Sequence, residues 1–478
     1  IIAAGAVSPA GLGVDAHRAV PPGQRPASRI GDDELLAAAG LWRPHAARAP
    51  EQLEGPSSGD RATDLLSTAL REVCSQLDDG HPSWRSLRLG VALGTSSGGM
   101  LAAEQLFAAW SGSESPAPSL LHGATYFAPF CDGLRTVGID VGNGTGWEGA
   151  SGSSPDRHEG AGPRVVPIRY TQVLAACASS TLAIGLGMRW LDCDACDLVL
   201  AGGYDALSLF VAAGFEAIRA TTASRPRPFR AGRDGMALGE GACVFALRRG
   251  AAEEAPHALA CLHGFGAADD AVHITAPDRT GAGLARAAQA AMADASVDPE
   301  GIDLVSAHGT ATPYNDAMEA RAIAPAWPRP APPIVHPFKA EVGHPLGAAG
   351  ALELLAAVDA LRRQLVPGAC GEGELDPDAP VRLLERSTAR EVGAALKLSA
   401  AFGGVTAALV VSRKAGAEPP RSRRPVHVLG VGIVEDVCRE SLSVATGVPR
   451  DRLARMDDLG QLSVAAVAAL AGEVERSS

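Results

Sequence analysis

Aromatic side chains make up only 4% of this 478-residue chain, and positive charge is in deficit: 42 Lys and Arg stand against 54 Asp and Glu, a net charge of −12. A nucleic-acid surface wants net or clustered positive charge, so the totals argue against that class of partner. Long apolar runs are missing as well; none reaches the roughly 20 residues a membrane-spanning helix requires. Nine cysteines fall without paired spacing, which speaks against a disulfide framework. The lone CxxC, Cys193 and Cys196 in "CDAC", has no two further ligands at zinc spacing nearby. The opening "IIAAGAVSPAG" shows neither the charged segment nor the cleavage site of a signal peptide. Together these absences fit a reducing, cytoplasmic compartment.

What is abundant is small and apolar. Hydrophobic residues reach 46%, and 55 glycines accompany an alanine-rich texture, which suits helices and sheets packed closely through small side chains. The length fits two lobes, or one large domain with an appendage. One dense basic run, "IRATTASRPRPFRAGRD", holds Arg219, Arg225, Arg227, Arg230 and Arg233. It reads as a solvated or internally paired loop, with docking of an acidic partner as the sharper alternative.

Short apolar strands alternate with longer helical stretches, the pattern of an α/β architecture. "RATDLLSTALREVCSQL" sets Leu65, Leu66, Leu70 and Val73 at helical spacing. The Gly/Ser-rich segment 143–163 has no periodicity and reads as a long loop. "RVVPIRYTQVLAA" reads as a strand, with a helix starting near Cys177. After Arg249 the pattern restarts, and His344 heads a second Gly/Ala-rich helix. Two related halves, 1–252 and 253–413, are therefore expected, followed by a Pro/Arg-rich linker at 414–425 and a helical tail at 426–478.

Cys177, in "VLAACASSTLAIGLGMRW", stands where the start of a helix favours a thiolate, although a cysteine among small residues is more often buried and inert. His308 in "AHGTATPYND" and His344 in "FKAEVGH" each follow a strand within a Gly-rich turn. Cysteine with histidine suggests acyl transfer through a thioester, and a second histidine allows hydrogen bonds to a developing enolate.

The ordered set "ACASS", "RDGMALGEGA", "AHGTATPYNDAMEA", "KAEVGHPLGAAGALE" and "AFGGVTAALVV" resembles the β-ketoacyl synthase family over residues 1–413. The resemblance implies a thiolase fold, two related α/β halves in a five-layered αβαβα sandwich. It also implies dimers formed partly through the strand before the nucleophile, a homodimer or a heterodimer with a second ketosynthase-like subunit. Position by position, it implies Cys177 as the nucleophile that accepts an acyl chain from a phosphopantetheine carrier. His308 and His344 become the pair that promotes loss of carbon dioxide from a malonyl thioester, and Lys339 their supporting lysine. Glu353 is then the carboxylate partner of Lys339, and Phe402 a gate whose backbone N–H joins that of Cys177 in an oxyanion hole. Thr310 and Thr312 contact the pantetheine arm, and Phe215 lines the pocket. The implied activity is decarboxylative condensation with malonyl-carrier protein in fatty-acid or polyketide synthesis. No bound cofactor is implied, since phosphopantetheine arrives on the acyl carrier protein.

The match has departures: Thr406 stands where asparagine is usual, and Ala400 and Ala401 where Phe-Gly is commoner. The tail "VCRESLSVATGVPRDRLARMDDLGQLSVAAVAALAGEV" resembles the first half of an acyl carrier protein, a truncated or degenerate carrier piece in which "DLGQLSV" sets Ser463 at the offset of the modified serine but without the preceding aspartate. Two other readings share the fold: a non-catalytic chain-length partner subunit, and an acyltransferase or thioester hydrolase that does not decarboxylate.

Overall fold

A computed structural model describes residues 1–112, 115–141, 165–250, 258–324, 332–413, 439–454, 456 and 458–477. The expected loop at 143–163 and linker at 414–425 lie outside the described residues. The chain forms two compact units, Ile1–Pro419 and Pro420–Ser478.

The larger unit is built on two sheets of matching design. In the first, Gly11–Leu12, Ala3–Ser8, Gly241–Arg248, Leu198–Asp205, Leu89–Gly94 and Arg169–Val173 lie side by side. In the second the order is Cys261–Asp269, Val405–Ser412, Ala394–Ala400, Leu304–Ser306 and Ile334–His336. From Ala3–Ser8 onward the two sheets share one pattern: two antiparallel pairings, then two parallel ones. The last parallel strand of each half leads into a helix, Ser179–Asp192 in the first and Ala349–Arg363 in the second. These two helices fill the layer between the sheets. Helix Arg61–Gly80 covers the outer face of the first sheet and Ala282–Ala295 that of the second, which completes the αβαβα sandwich of the thiolase fold.

Sequence pattern accounts for these elements. Asp60 caps the 61–80 helix by accepting the Thr63 N–H at 2.8 Å, and Leu65, Leu66, Leu70 and Val73 are fully buried beneath it. Each such side chain contributes about 1.5–3 kcal/mol of burial. Strands Ala3–Ser8, Leu89–Gly94, Leu198–Asp205 and Ala394–Ala400 are buried along their whole length and carry few polar residues, as sheets covered on both faces do. The middle layer depends on small residues: a Cβ on Gly350 would lie 2.0 Å from Thr181 Oγ1, so the two central helices approach closely only with glycine there.

The smaller unit contains helices Arg439–Thr446, Arg450–Leu453 and Asp458–Ser477, with Leu442 and Leu453 buried and Arg439 Nε donating to Gln461 Oε1 at 3.0 Å. Ser463 is exposed and falls inside the last helix, in its second turn.

Candidate active site

The two central helices begin in the same way. Ala176 adopts φ 44°, a 3-10 turn covers Ala176–Ala178, and the helix follows from Ser179. In the second half Leu346 adopts φ 46°, a 3-10 turn covers Leu346–Ala348, and the helix follows from Ala349. A non-glycine residue at positive φ costs about 1–3 kcal/mol and needs its surroundings to hold it. Ser179 Oγ does so for the first turn, accepting the Ala175 N–H at 2.9 Å and lying 2.6 Å from the Ala176 carbonyl. Asp205 does so for the second, accepting the Gly347 N–H at 2.6 Å while also binding Thr95, Ser96 and Ser97. The counterpart of Cys177 is therefore Gly347, and His344 stands three residues before it.

Cys177 is 7% exposed. Burial pushes its thiol up to about 12, against a smaller opposing pull from the Lys339 charge. Burial therefore favours the thiol over the thiolate at this position.

His308 follows strand Leu304–Ser306. Its backbone N–H donates to Glu319 Oε1 at 2.6 Å, and the Gly309 N–H to Glu319 Oε2 at 2.8 Å. Lys339 Nζ donates to the His308 carbonyl at 2.6 Å and to His308 Nδ1 at 3.3 Å, and it pairs with Glu353 Oε1. His344 is pinned by its backbone, donating to Ala237 O at 2.8 Å and accepting from the Gly239 N–H at 3.0 Å. Its Nδ1 accepts the Leu346 N–H at 3.2 Å. With both Nδ1 atoms acting as acceptors, each imidazole carries its proton on Nε2. The His344 Nε2 is buried with no hydrogen-bond partner among the described residues. The rings stand edge to face with centroids 5.6 Å apart. Burial first, then the Lys339 charge, holds both well below the usual imidazole range, so both are neutral.

These groups meet in one cavity of about 310 Å³, lined by Cys177, His308 and His344 together with Phe215, Thr310, Thr312 and Phe402. Thr310 Oγ1 and Thr312 Oγ1 lie 3.0 Å apart. The rings of Phe215 and Phe402 are 5.5 Å apart, and Phe402, 38% exposed, sits in a turn followed by Gly403 and Gly404 at φ 87° and 92°. Lys339 and Glu353 do not line the cavity; they lie behind His308.

Some participants escaped the sequence reading. Glu319 and Asp205, both fully buried, hold the turns that carry His308 and Gly347. Lys397, also fully buried, has its Nζ 2.7 Å from Glu353 Oε2. Its one sequence signal is a lysine inside the otherwise apolar run "AALKLSA". The basic run divides. Arg230 pairs with Glu385 at 2.7 Å and Arg233 with Asp316 at 3.5 Å, both from buried positions, whereas Arg219 and Arg225 are exposed. Docking on all five arginines is thereby excluded.

Comparison with known proteins agrees with this geometry. The family described as "Beta-ketoacyl synthase, N-terminal domain" matches residues 170–252, and "Beta-ketoacyl synthase, C-terminal domain" matches 259–371. The 3-oxoacyl-[acyl-carrier-protein] synthase 2 of Coxiella burnetii is 32% identical over 345 residues, 68% of this chain and 75% of that protein. A putative polyketide beta-ketoacyl synthase 1 of Streptomyces cyaneus is 34% identical over 264 residues, 51% of this chain; the match spans 60% of that relative's length. The structure of the ishigamide ketosynthase/chain length factor superposes with a TM-score of 0.71 at 27% identity, covering 87% of this chain and 98% of that one. The chain belongs to the β-ketoacyl synthase family.

Proposed function

We propose that this protein is a 3-oxoacyl-[acyl carrier protein] synthase that condenses a Cys177-bound acyl chain with malonyl-carrier protein. Cys177 Sγ attacks the thioester carbonyl of an acyl carrier; the carrier thiol leaves, taking up the proton that the cysteine loses. Malonyl carrier then replaces it. The bond from its carboxylate to C2 breaks, carbon dioxide departs, and the electron pair becomes an enolate whose oxygen accepts from the Nε2–H groups of His308 and His344. The enolate C2 attacks the Cys177 thioester, the Cys177 sulfur leaves with the electron pair of the broken C–S bond and takes a proton from solvent to restore the thiol, and a 3-oxoacyl carrier results. Electrons balance without an external oxidant or reductant.

The observation that carries this reading is the pair of neutral imidazoles, both with Nδ1 engaged, lining one cavity with a cysteine. Donors already oriented toward a forming oxyanion need no reorganisation during the reaction. A chain-length partner or a simple acyltransferase has no use for two such donors. Thr310 and Thr312 contact the phosphopantetheine arm, Phe215 and Phe402 close over the acyl chain, and the amides of Cys177 and Phe402 receive the tetrahedral oxyanion. Residues 1–252 and 253–413 act as two halves of one catalytic unit, with 426–478 as a carrier-like tail.

The partner is an acyl carrier protein, and Arg219, at the cavity mouth, with exposed Arg225 offers cationic contacts for it. A second copy of the chain covers strand Arg169–Val173, an outer strand of its sheet flanked by exposed Ile168 and Leu174 and bearing exposed Tyr170. A second ketosynthase-fold subunit is the alternative, and sedimentation of the purified chain separates the two. Incubation with an acyl-loaded carrier, followed by peptide mapping, tests the first step: acylation is expected on Cys177, and acylation elsewhere or nowhere would overturn the assignment.

A further inference from the structure

Six elements bring charged or titratable groups to the two imidazoles. Cys177 comes from the first 3-10 turn and Asp205 from the end of strand Leu198–Asp205. Glu319 comes from helix Pro313–Ile323, Lys339 from the short helix Lys339–Val342 and Glu353 from helix Ala349–Arg363. Lys397 comes from strand Ala394–Ala400, and the mechanism above gives it no task. A buried ammonium is expensive unless it is paired, so a lysine with no exposed surface has to be accounted for.

Its surroundings supply the account. Lys397 Nζ lies 2.7 Å from Glu353 Oε2 and also meets the Leu398 carbonyl. The other carboxylate oxygen of Glu353 pairs with Lys339, whose remaining donors reach the carbonyl and Nδ1 of His308. One carboxylate is thus held between two ammonium groups, and the chain of contacts runs Lys397, Glu353, Lys339, His308.

We propose that Lys397 is a positioning residue for carbon dioxide release: it anchors Glu353 behind Lys339, leaving Lys339 free to donate to His308 and so to present the His308 Nε2–H to the substrate. This rests on the condensing reading above. Lys397 takes no part in acyl transfer to Cys177, because its contacts lead to His308 and not to the thiol. Its charge also faces both imidazoles and contributes, after burial and Lys339, to keeping them neutral. Removing a nearby positive charge eases protonation of a histidine, so the acid limb of carbon dioxide release moves to higher pH when Lys397 is neutralised.

The test uses the full chain with acyl-loaded and malonyl-loaded carrier, measuring acylation of Cys177 and carbon dioxide release separately across pH. Lys397→Met is expected to leave acylation within about twofold of wild type while slowing carbon dioxide release about tenfold or more, the scale of one charge-assisted contact. Its acid limb shifts upward, and Lys397→Arg, which keeps the charge, restores the limb. Lys397→Gln serves as a second neutral variant, with folding checked by thermal melts. An unmoved acid limb in a folded neutral variant, or an equal fall in both half-reactions, would overturn the inference. Failure of both neutral variants to fold would overturn it too, assigning Lys397 to stability alone. A wild-type chain that acylates Cys177 but releases no carbon dioxide overturns the condensing reading itself, so the two failures are told apart.

Discussion

Lys339 Nζ lies 2.6 Å from the carbonyl oxygen of His308 and 3.3 Å from its Nδ1, so one buried ammonium holds both the backbone and the ring of the same residue. Replacing Lys339 by methionine removes both contacts and strands the Glu353 carboxylate with Lys397 alone. A charge-assisted hydrogen bond is worth about 1.5–3 kcal/mol, so carbon dioxide release is expected to slow by roughly ten- to a hundredfold. Acylation of Cys177 changes far less. Single-turnover assays of the two half-reactions check this; an equal loss in both contradicts it.

The neutral imidazoles set a pH dependence. Because His308 and His344 lie well below the usual imidazole range, both remain unprotonated through pH 6.5, and the acid limb of condensation falls below that value. Protonating Nδ1 of either ring would displace its donor, Lys339 or the Leu346 N–H. A limb centred at or above pH 6.5 in a pH–rate profile of kcat/KM for malonyl carrier would contradict the assignment.

Glu319 gives a stability effect of opposite sign. Burial raises its carboxyl from 4.5 to about 7 in the folded chain, so between those values the unfolded chain releases a proton that the folded chain keeps. Stability from this group is fully present below pH 4.5 and is lost as pH rises toward 7, a swing of roughly 3 kcal/mol. Glu319→Gln removes the swing. Thermal melts of both proteins across this range are expected to show the difference between them changing with pH; a constant difference argues against it.

Gly350 tests the packing of the middle layer. An added Cβ there meets Thr181 Oγ1 at 2.0 Å and Ser180 Oγ at 3.0 Å, and both of these side chains are fully buried. Gly350→Ala is expected to destabilise the chain by about 1–3 kcal/mol, the range for overpacking. A melting temperature unchanged from wild type would show that the helices separate without cost.

The residues legible from sequence are those whose chemistry is local. Cys177 and His308 each sit in a turn after a strand, a pattern visible in hydropathy and glycine content alone, whereas His344, also expected to leave a strand directly, follows the short helix Lys339–Val342. Helix Arg61–Gly80 was legible for the same reason, its leucines falling at helical spacing. Lys397 and Asp205 act on partners far away in sequence: Lys397 reaches Glu353 across 44 positions, and Asp205 reaches Gly347 across 142. The apolar run around Lys397 hints at burial, but nothing local names the partner that pairs with it. Arg230 and Arg233 show the converse, a charge run that reads as surface but in which two members are buried by acidic residues from the second half. The pairing of Cys177 with Gly347 became visible only in the backbone, through the shared positive φ of Ala176 and Leu346.

The central claim is that one cavity both holds an acyl chain on Cys177 and generates a carbanion beside it. Intact-mass spectrometry of the carrier product tests this most directly, after wild type, Cys177→Ala and His308→Ala are each mixed with an acyl donor and malonyl-loaded carrier. The account expects a 3-oxoacyl carrier two carbons longer than the donor from wild type and none from either variant, with His308→Ala still acylated on Cys177. Malonyl carrier left intact by wild type, with or without acylation of Cys177, would contradict it.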